Sequence, residues 1–178
     1  MEFFKIIKHE ALSQRLEMLV IGGLAVNFYG YSRETGDVDL LICRDARSAW
    51  EDLISKMGYV LDRDAGTFLQ FSPPRSGEWP LDVMLVQAAT FAPMMAASNE
   101  VDLYGARMRI PSLDHLIALK LHALKHTRLH RFLKDFQDLE GLVLINKLDL
   151  KSEKIRQMFL KYGSLDLYEK IVRACSSD

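Results

Sequence analysis

The stretch Val20-Ile21-Gly22-Gly23-Leu24-Ala25-Val26, followed by Arg33-Glu34-Thr35-Gly36-Asp37-Val38-Asp39-Leu40-Leu41-Ile42, decides the fold. Two glycines close a short apolar run, and two carboxylates one residue apart open a second. A third apolar run, Trp79-Pro80-Leu81-Asp82-Val83-Met84-Leu85-Val86, carries one more carboxylate in its middle. Residues i and i+2 of a strand share a face, so Asp37 and Asp39 project together while Val38 points away. Two adjacent carboxylates repel, and a divalent cation between them relieves the repulsion. Asp82 lies among apolar neighbours, where a lone carboxylate is costly and needs a partner. If its strand runs beside that of Asp37 and Asp39, the three acids can bracket two metal ions.

A D-x-D pair alone commonly faces solvent, and a Gly-Gly pair alone is commonly a tight turn. Their combination points to phosphate chemistry. Glycines let the backbone approach a ligand closely, and the helix expected after them offers free N–H groups to phosphate. Mg²⁺ suits two carboxylates with phosphate oxygens and waters. A pair of such ions serves in-line attack at phosphorus. The chain has neither G-x-x-x-x-G-K-S/T nor G-x-G-x-x-G, which excludes P-loop and Rossmann readings.

The 178 residues suit one domain, or a domain with a helical appendage. An apolar fraction of 49% supports a real core, and the net charge of −1 argues against nucleic-acid binding through bulk charge. Two cysteines, Cys43 and Cys175, make neither a disulfide framework nor a Cys-based zinc site. Lys5 and Lys8 interrupt the apolar residues near the start, so no signal-peptide core is expected. The longest uncharged stretches fall short of the ~20 apolar residues of a membrane span, and a cytoplasmic protein is expected.

Hydrophobic periodicity predicts helices over 2–16 and 24–29, and strands over 19–21 and 38–43. It predicts an amphipathic helix over 46–57, stopped by Gly58. Strands follow at 59–61, 67–71 and 81–86, and a helix over 88–98 is disturbed by Pro93. Strands at 101–103 and 107–110 form a hairpin across Tyr104-Gly105-Ala106. Beyond Pro111, with Ser112 as N-cap, helices are predicted over 113–126, 129–145, 152–161 and 165–175. The expected class is α+β: a small mixed sheet flanked by helices over 1–111, then a helical region over 112–178. No polar linker separates the two, so they are expected to share one core.

In the first of those helices Leu113, Leu116, Ile117 and Leu124 form a stripe with Lys120 in its middle. Lys120 either snorkels past its neighbours or points into a site. In the next, Leu129, Phe132, Leu133, Phe136, Leu139 and Val143 form the expected core stripe, bordered by Asp135. Arg131, Lys134 and Asp138 lie on the other side, where Arg131–Asp135 and Lys134–Asp138 at i,i+4 spacing also suit a solvated salt-bridge face. Lys120, Lys125, Arg128, Arg131 and Lys134, with no acid between His115 and Lys134, suit either a phosphate patch or an ordinary basic face. His122, His126 and His130 recur every four residues, and without a nearby acid or Cys they are not expected to bind metal.

Taken in order, these features resemble the polymerase-beta-type nucleotidyltransferase superfamily. The features are Gly22-Gly23, thirteen intervening residues, Asp37-Val38-Asp39 with Arg33 and Thr35 ahead of them, and Asp82 as the third acid. More narrowly the chain is similar to the abortive-infection toxin nucleotidyltransferases of the AbiEii type. Pro111 to Lys120 resembles the segment carrying that family's lysine, and Arg131 to Asp138 resembles its last motif, R-x-x-K-D-x-x-D. The resemblance spans residues 18–140. It implies the nucleotidyltransferase fold and transfer of a nucleoside monophosphate from an NTP to a hydroxyl, with release of pyrophosphate. It implies Asp37, Asp39 and Asp82 as ligands of two Mg²⁺ ions, Mn²⁺ being an alternative ion. Asp37, Asp39, Asp82, Lys120 and Asp135 would be catalytic. Gly22, Gly23, Arg33, Thr35, Lys120 and Asp138 would bind nucleotide. The acceptor would be a tRNA 3′ end, a protein side chain or a small hydroxylated compound, and an antitoxin would be the partner. There is one departure. Leu24 stands where many members have Ser or Thr donating a hydroxyl to the phosphates. That departure sustains an alternative: a catalytically silent member that binds nucleotide or a partner.

Overall fold

The computed structural model describes residues 2–126 and 129–176, and the side chains of all of these except residues 129–131. The chain divides into two compact units, Met1–Ala25 with Glu34–Ser112, and Val26–Arg33 with Leu113–Asp178.

The first unit opens with helix α1 (Phe3–Ser13), whose Phe4, Ile7 and Ala11 are buried at i, i+3 and i+7 spacing. Strand β1 (Met18–Val20) leads into helix α2 (Gly22–Phe28), which begins at the glycines themselves rather than after them. Strand β2 (Val38–Cys43) and strand β5 (Leu81–Val86) occupy the predicted ranges. Between them lie helix α3 (Arg47–Lys56), preceded by a single 3₁₀ turn over Arg44–Ala46, and strands β3 (Val60–Asp64) and β4 (Phe68–Ser72). Helix α4 (Ala88–Ala96) carries Pro93 within it.

Five strands form one mixed sheet in the order β1-β2-β5-β4-β3. The β2–β5 pair is parallel and the rest are antiparallel. Register sorts the side chains between the faces, because directly paired residues point the same way. Val38, Leu40 and Ile42, with Leu81, Val83 and Leu85, and Leu69 and Phe71, share one face and are all buried. Asp39, Asp82 and Gln70 share the other.

Strands β6 (Asn99–Leu103) and β7 (Ala106–Ile110) make the expected hairpin, but Ala106 belongs to β7 and the turn is Tyr104-Gly105 alone. Both turn residues have positive φ, 53° and 80°, which matches the right-handed strand twist of a two-residue hairpin.

The second unit holds helices α5 (Leu113–His126), α6 (Leu129–Ile145), α7 (Glu153–Tyr162) and α8 (Leu165–Cys175). Ser152 and Ser164 cap α7 and α8 by accepting from the N–H groups of Ile155 and Leu167. The buried residues of α5 are Leu116, Ile117, Lys120, Leu121 and Leu124, as the stripe predicted for most of them. Helix α6 differs from expectation. Leu133 is 70% exposed and Asp138 is 0% exposed. The inward face is Asp138, Leu139, Leu142 and Val143, so the core stripe omits Leu133 and takes in an acid.

The segment 26–33 is fastened to α6 within this unit. Asn146 donates to the Tyr29 carbonyl at 3.1 Å. The Tyr31 ring lies where a Cβ on Gly141 would stand, 2.2 Å from it, so only glycine fits that position on the helix. Among the described residues no helix is long and apolar enough to cross a membrane.

Candidate functional site

The register of β2 on β5 aligns Asp39 with Asp82. Strands in that direction lie about 4.8 Å apart, so the two carboxylates are nearest neighbours on one face. Asp37 stands one residue before β2, where the Val38 N–H bonds the Pro80 carbonyl at 2.9 Å and ties the strand starts together. One carboxylate oxygen from each of Asp37, Asp39 and Asp82 lies within 4.8 Å of the others. It is the one such group of potential ligands among the described residues. Asp82 is 5% exposed, so the acid in the middle of β5 is buried and has the company that its burial demands.

The glycine turn meets this centre directly. The Ile21 N–H bonds the Asp39 carbonyl at 2.9 Å, which brings the chain after β1 against β2. Gly22 has φ +63°, and a Cβ built on it would stand 1.8 Å from Asp39 Oδ2. The bare backbone is therefore packed against the carboxylate, and glycine is required twice, by conformation and by space. Gly23 and Leu24 are buried in the first turn of α2. No side-chain hydroxyl stands at position 24.

Two neutral donors hold two of the acids. The Thr35 hydroxyl donates to Asp37 Oδ1 at 2.8 Å. The Gln70 amide donates to Asp82 Oδ1 at 3.2 Å and Oδ2 at 3.5 Å. Gln70 has no signal in the sequence. A lone glutamine on a short strand carries no periodic or motif signal, and only the pairing of β4 with β5 (Gln70 with Asp82) reveals it.

The donor set fits a hard divalent cation: three carboxylates, each offering one oxygen within 4.8 Å of the others. A cation shared by such oxygens would offset their mutual repulsion.

The remaining sequence candidates form a separate group within the helical unit. Asp138 accepts from Arg33 Nε at 2.5 Å and from Arg33 Nη2 at 3.0 Å, a two-pronged pair. Lys120 Nζ bonds Asp138 at 2.6 Å and Asp135 at 2.9 Å. Asn27 fixes the Arg33 backbone by giving to its carbonyl and accepting from its N–H, both at 2.9 Å. Two cations and two carboxylates thus balance one another with Asp138 wholly buried. The solvated Lys134–Asp138 pairing is replaced by these contacts. Lys120 leaves the basic surface patch, because it is 8% exposed and paired twice. Thr127 and Arg128, and the side chains of His130 and Arg131, lie outside the described residues. His122 and His126 sit side by side on α5 with ring centroids 4.7 Å apart. Burial chiefly, and then the charge of His126 and Lys125, lowers the His122 pKa from its usual value.

No family model matches the chain, and no curated protein matches it. Solved structures do match. ANT(2″)-Ia, crystallised in complex with adenylyl-2″-tobramycin, superposes with a TM-score of 0.68 at 16% identity, over 90% of this chain and 94% of that one. An antigenic nucleotidyltransferase-like protein from Paracoccidioides brasiliensis gives 0.59 at 13% identity, over 99% and 91%. The lincosamide antibiotic adenylyltransferase LnuA, bound to lincomycin, gives 0.57 at 14% identity, over 81% and 96%. At these identities the likeness is one of fold, and the chain has the nucleotidyltransferase fold expected from its motifs.

Proposed function

We propose that this chain is a divalent-cation-dependent nucleotidyltransferase, moving a nucleoside monophosphate from an NTP to a hydroxyl acceptor. The observation that carries this reading is the Asp37–Asp39–Asp82 centre, with oxygens within 4.8 Å of one another and Gly22 packed against Asp39. The fold shared with the lincosamide antibiotic adenylyltransferase LnuA, and with ANT(2″)-Ia in its complex with adenylyl-2″-tobramycin, supports it.

In this reading the three acids ligate Mg²⁺, with Mn²⁺ able to replace it. Such ions supply charge stabilisation to phosphate oxygens. The chain's own groups do the rest. Gly22 and Gly23 give the triphosphate a close backbone approach, and Thr35 holds Asp37 in place as a ligand. The acceptor oxygen forms a bond to the α-phosphorus as the bond to pyrophosphate breaks, and the hydroxyl proton passes to a carboxylate oxygen of the trio. Arg33, Lys120, Asp135 and Asp138 are proposed as a second set of functional residues on the motif resemblance. Within that set Asp138 is committed to its two cations, while Asp135 keeps more of its surface.

Incubation with each α-labelled NTP and Mg²⁺ tests the reading, with tRNA, lysate protein, an aminoglycoside and a lincosamide as acceptors. Label is expected on one acceptor class and is lost in Asp37→Ala/Asp39→Ala. Label that survives the double substitution refutes the assigned chemistry. The ordered motifs over residues 18–140 support the AbiEii-type toxin branch, with an RNA or protein acceptor and an antitoxin partner. The same acceptor panel separates that branch from small-molecule transfer.

A second reading is a silent member that binds nucleotide without transferring it. It is favoured by Leu24, which is 6% exposed and offers no hydroxyl to phosphate. Calorimetric binding of an NTP with Mg²⁺, without label on any acceptor, would establish it.

A further inference from the structure

We infer that Gln70 is a positioning residue for Asp82, fixing that carboxylate as a metal ligand without competing for its charge. The inference rests on the metal-centre reading above.

Strand β5 lies between β2 and β4. Asp82 therefore has Asp39 as its lateral partner on one side and Gln70 on the other. The three residues form a row across the sheet on one face, with neighbours about 4.8 Å apart. A cation shared by Asp39 and Asp82 draws the Asp82 carboxylate toward β2. The Gln70 amide, donating at 3.2 Å from the opposite side, sets the carboxylate's rotation and its reach.

The residue type matters. Lysine or arginine at position 70 would pair with Asp82 and compete with the metal. A carboxylate would add a fourth negative charge to the centre, and a hydrocarbon would leave the Asp82 oxygens without this donor. A primary amide donates while staying neutral, so the full charge of Asp82 remains available to a cation. Thr35 serves Asp37 in the same way, with a neutral hydroxyl at 2.8 Å. Two of the three acids are thus held by uncharged donors from residues that would not themselves touch the ion. Partners of this outer kind typically cost about 10–100-fold in metal affinity when removed.

The test is Mn²⁺ binding followed by electron paramagnetic resonance, which needs no nucleotide, acceptor or turnover. Wild type, Gln70→Leu, Asp82→Asn and the double variant are titrated, with Gln70→Met as a second apolar replacement should Leu disturb the strand. Circular dichroism and thermal unfolding confirm the fold of each. Gln70→Leu is expected to weaken Mn²⁺ binding by about tenfold or more. In the Asp82→Asn background the same change is expected to cost nothing further, because Gln70 acts through the carboxylate that is gone. A folded Gln70→Leu or Gln70→Met protein that binds Mn²⁺ as wild type does overturns the inference and leaves the metal centre standing. Equal losses in both backgrounds also overturn it, since they would mark a general packing role. A wild-type protein that binds no Mn²⁺ removes the metal centre and the role of Gln70 together.

Discussion

Replacing Gly22 by alanine should disable the carboxylate centre at a modest cost in stability. The built Cβ stands 1.8 Å from Asp39 Oδ2, 2.5 Å from its Cγ and 2.8 Å from its Cβ. An ordinary non-bonded separation is about 3.5 Å, so the carboxylate must retreat by roughly 1.7 Å or the backbone must move by as much. Displacements of about 1 Å at a reacting centre cost on the order of 10²-fold in rate, so transfer should fall by about 10²-fold or more. The φ of +63° adds about 1–2 kcal/mol of backbone strain for a residue with a Cβ. At about 2–4 °C per kcal/mol for a chain of this size, that strain alone should lower the melting temperature by roughly 2–8 °C, and the overlap with Asp39 adds to the loss. Gly66→Ala separates the two effects. Gly66 also has positive φ (+77°), but nothing lies within 4 Å of its added Cβ. It should show the few degrees due to strain alone, with transfer and Mn²⁺ affinity intact. Rates for folded Gly22→Ala and Gly66→Ala that agree within about threefold would refute the idea that this glycine makes room for the carboxylate.

Other consequences concern the helical unit. Asp138→Asn leaves the part-buried Arg33 and the buried Lys120 without their shared counter-charge and should cost about 3–5 kcal/mol in urea unfolding. A loss under 1 kcal/mol would mean that the cluster is energetically idle. On α6, Leu139→Ala should cost about 2–5 kcal/mol, whereas Leu133→Gln should stay within about 0.5 kcal/mol. A Leu133→Gln loss as large as that of Leu139→Ala would restore the stripe expected from hydropathy. The lowered pKa of His122 means that the folded chain resists protonation there more than the unfolded chain does. Stability should therefore be fully present above the usual histidine pKa of about 6.5 and decline as pH falls through it. His122→Gln should flatten that part of the profile, and an unchanged profile would assign the dependence to other groups.

The strands that carry the acids were legible because β2 and β5 are short, nearly continuous apolar runs bounded by polar residues and turns, as buried parallel strands are. Asp82 was legible for the opposite reason, as the one charge inside such a run. Helix α2 starts two residues before the position that propensity predicts, because glycine is a poor helix former and here conformation and space at Asp39 override propensity. The face of α6 departs from hydropathy at Leu133 and Asp138. Hydropathy puts an aspartate outside, and the partner that permits its burial, Arg33, is 105 residues away in sequence. Gln70 was invisible for a related reason, since its meaning comes wholly from the strand beside it. What the sequence conceals in each case is a neutral or oppositely charged companion brought in by register or tertiary contact.

The side-by-side alignment of Asp39 and Asp82 also bears on how the chain finds its native pairing. A slip of β5 by one residue would turn Asp82 from its own face to the one lined by Leu40 and Ile42 of β2 and by Leu69 and Phe71 of β4. That alternative would strand an ion in hydrocarbon. The acid therefore acts as an alignment key, making every slip by an odd number of residues costly. Swapping it for leucine would make such slipped pairings tolerable, a liability for assembly separate from any effect on chemistry.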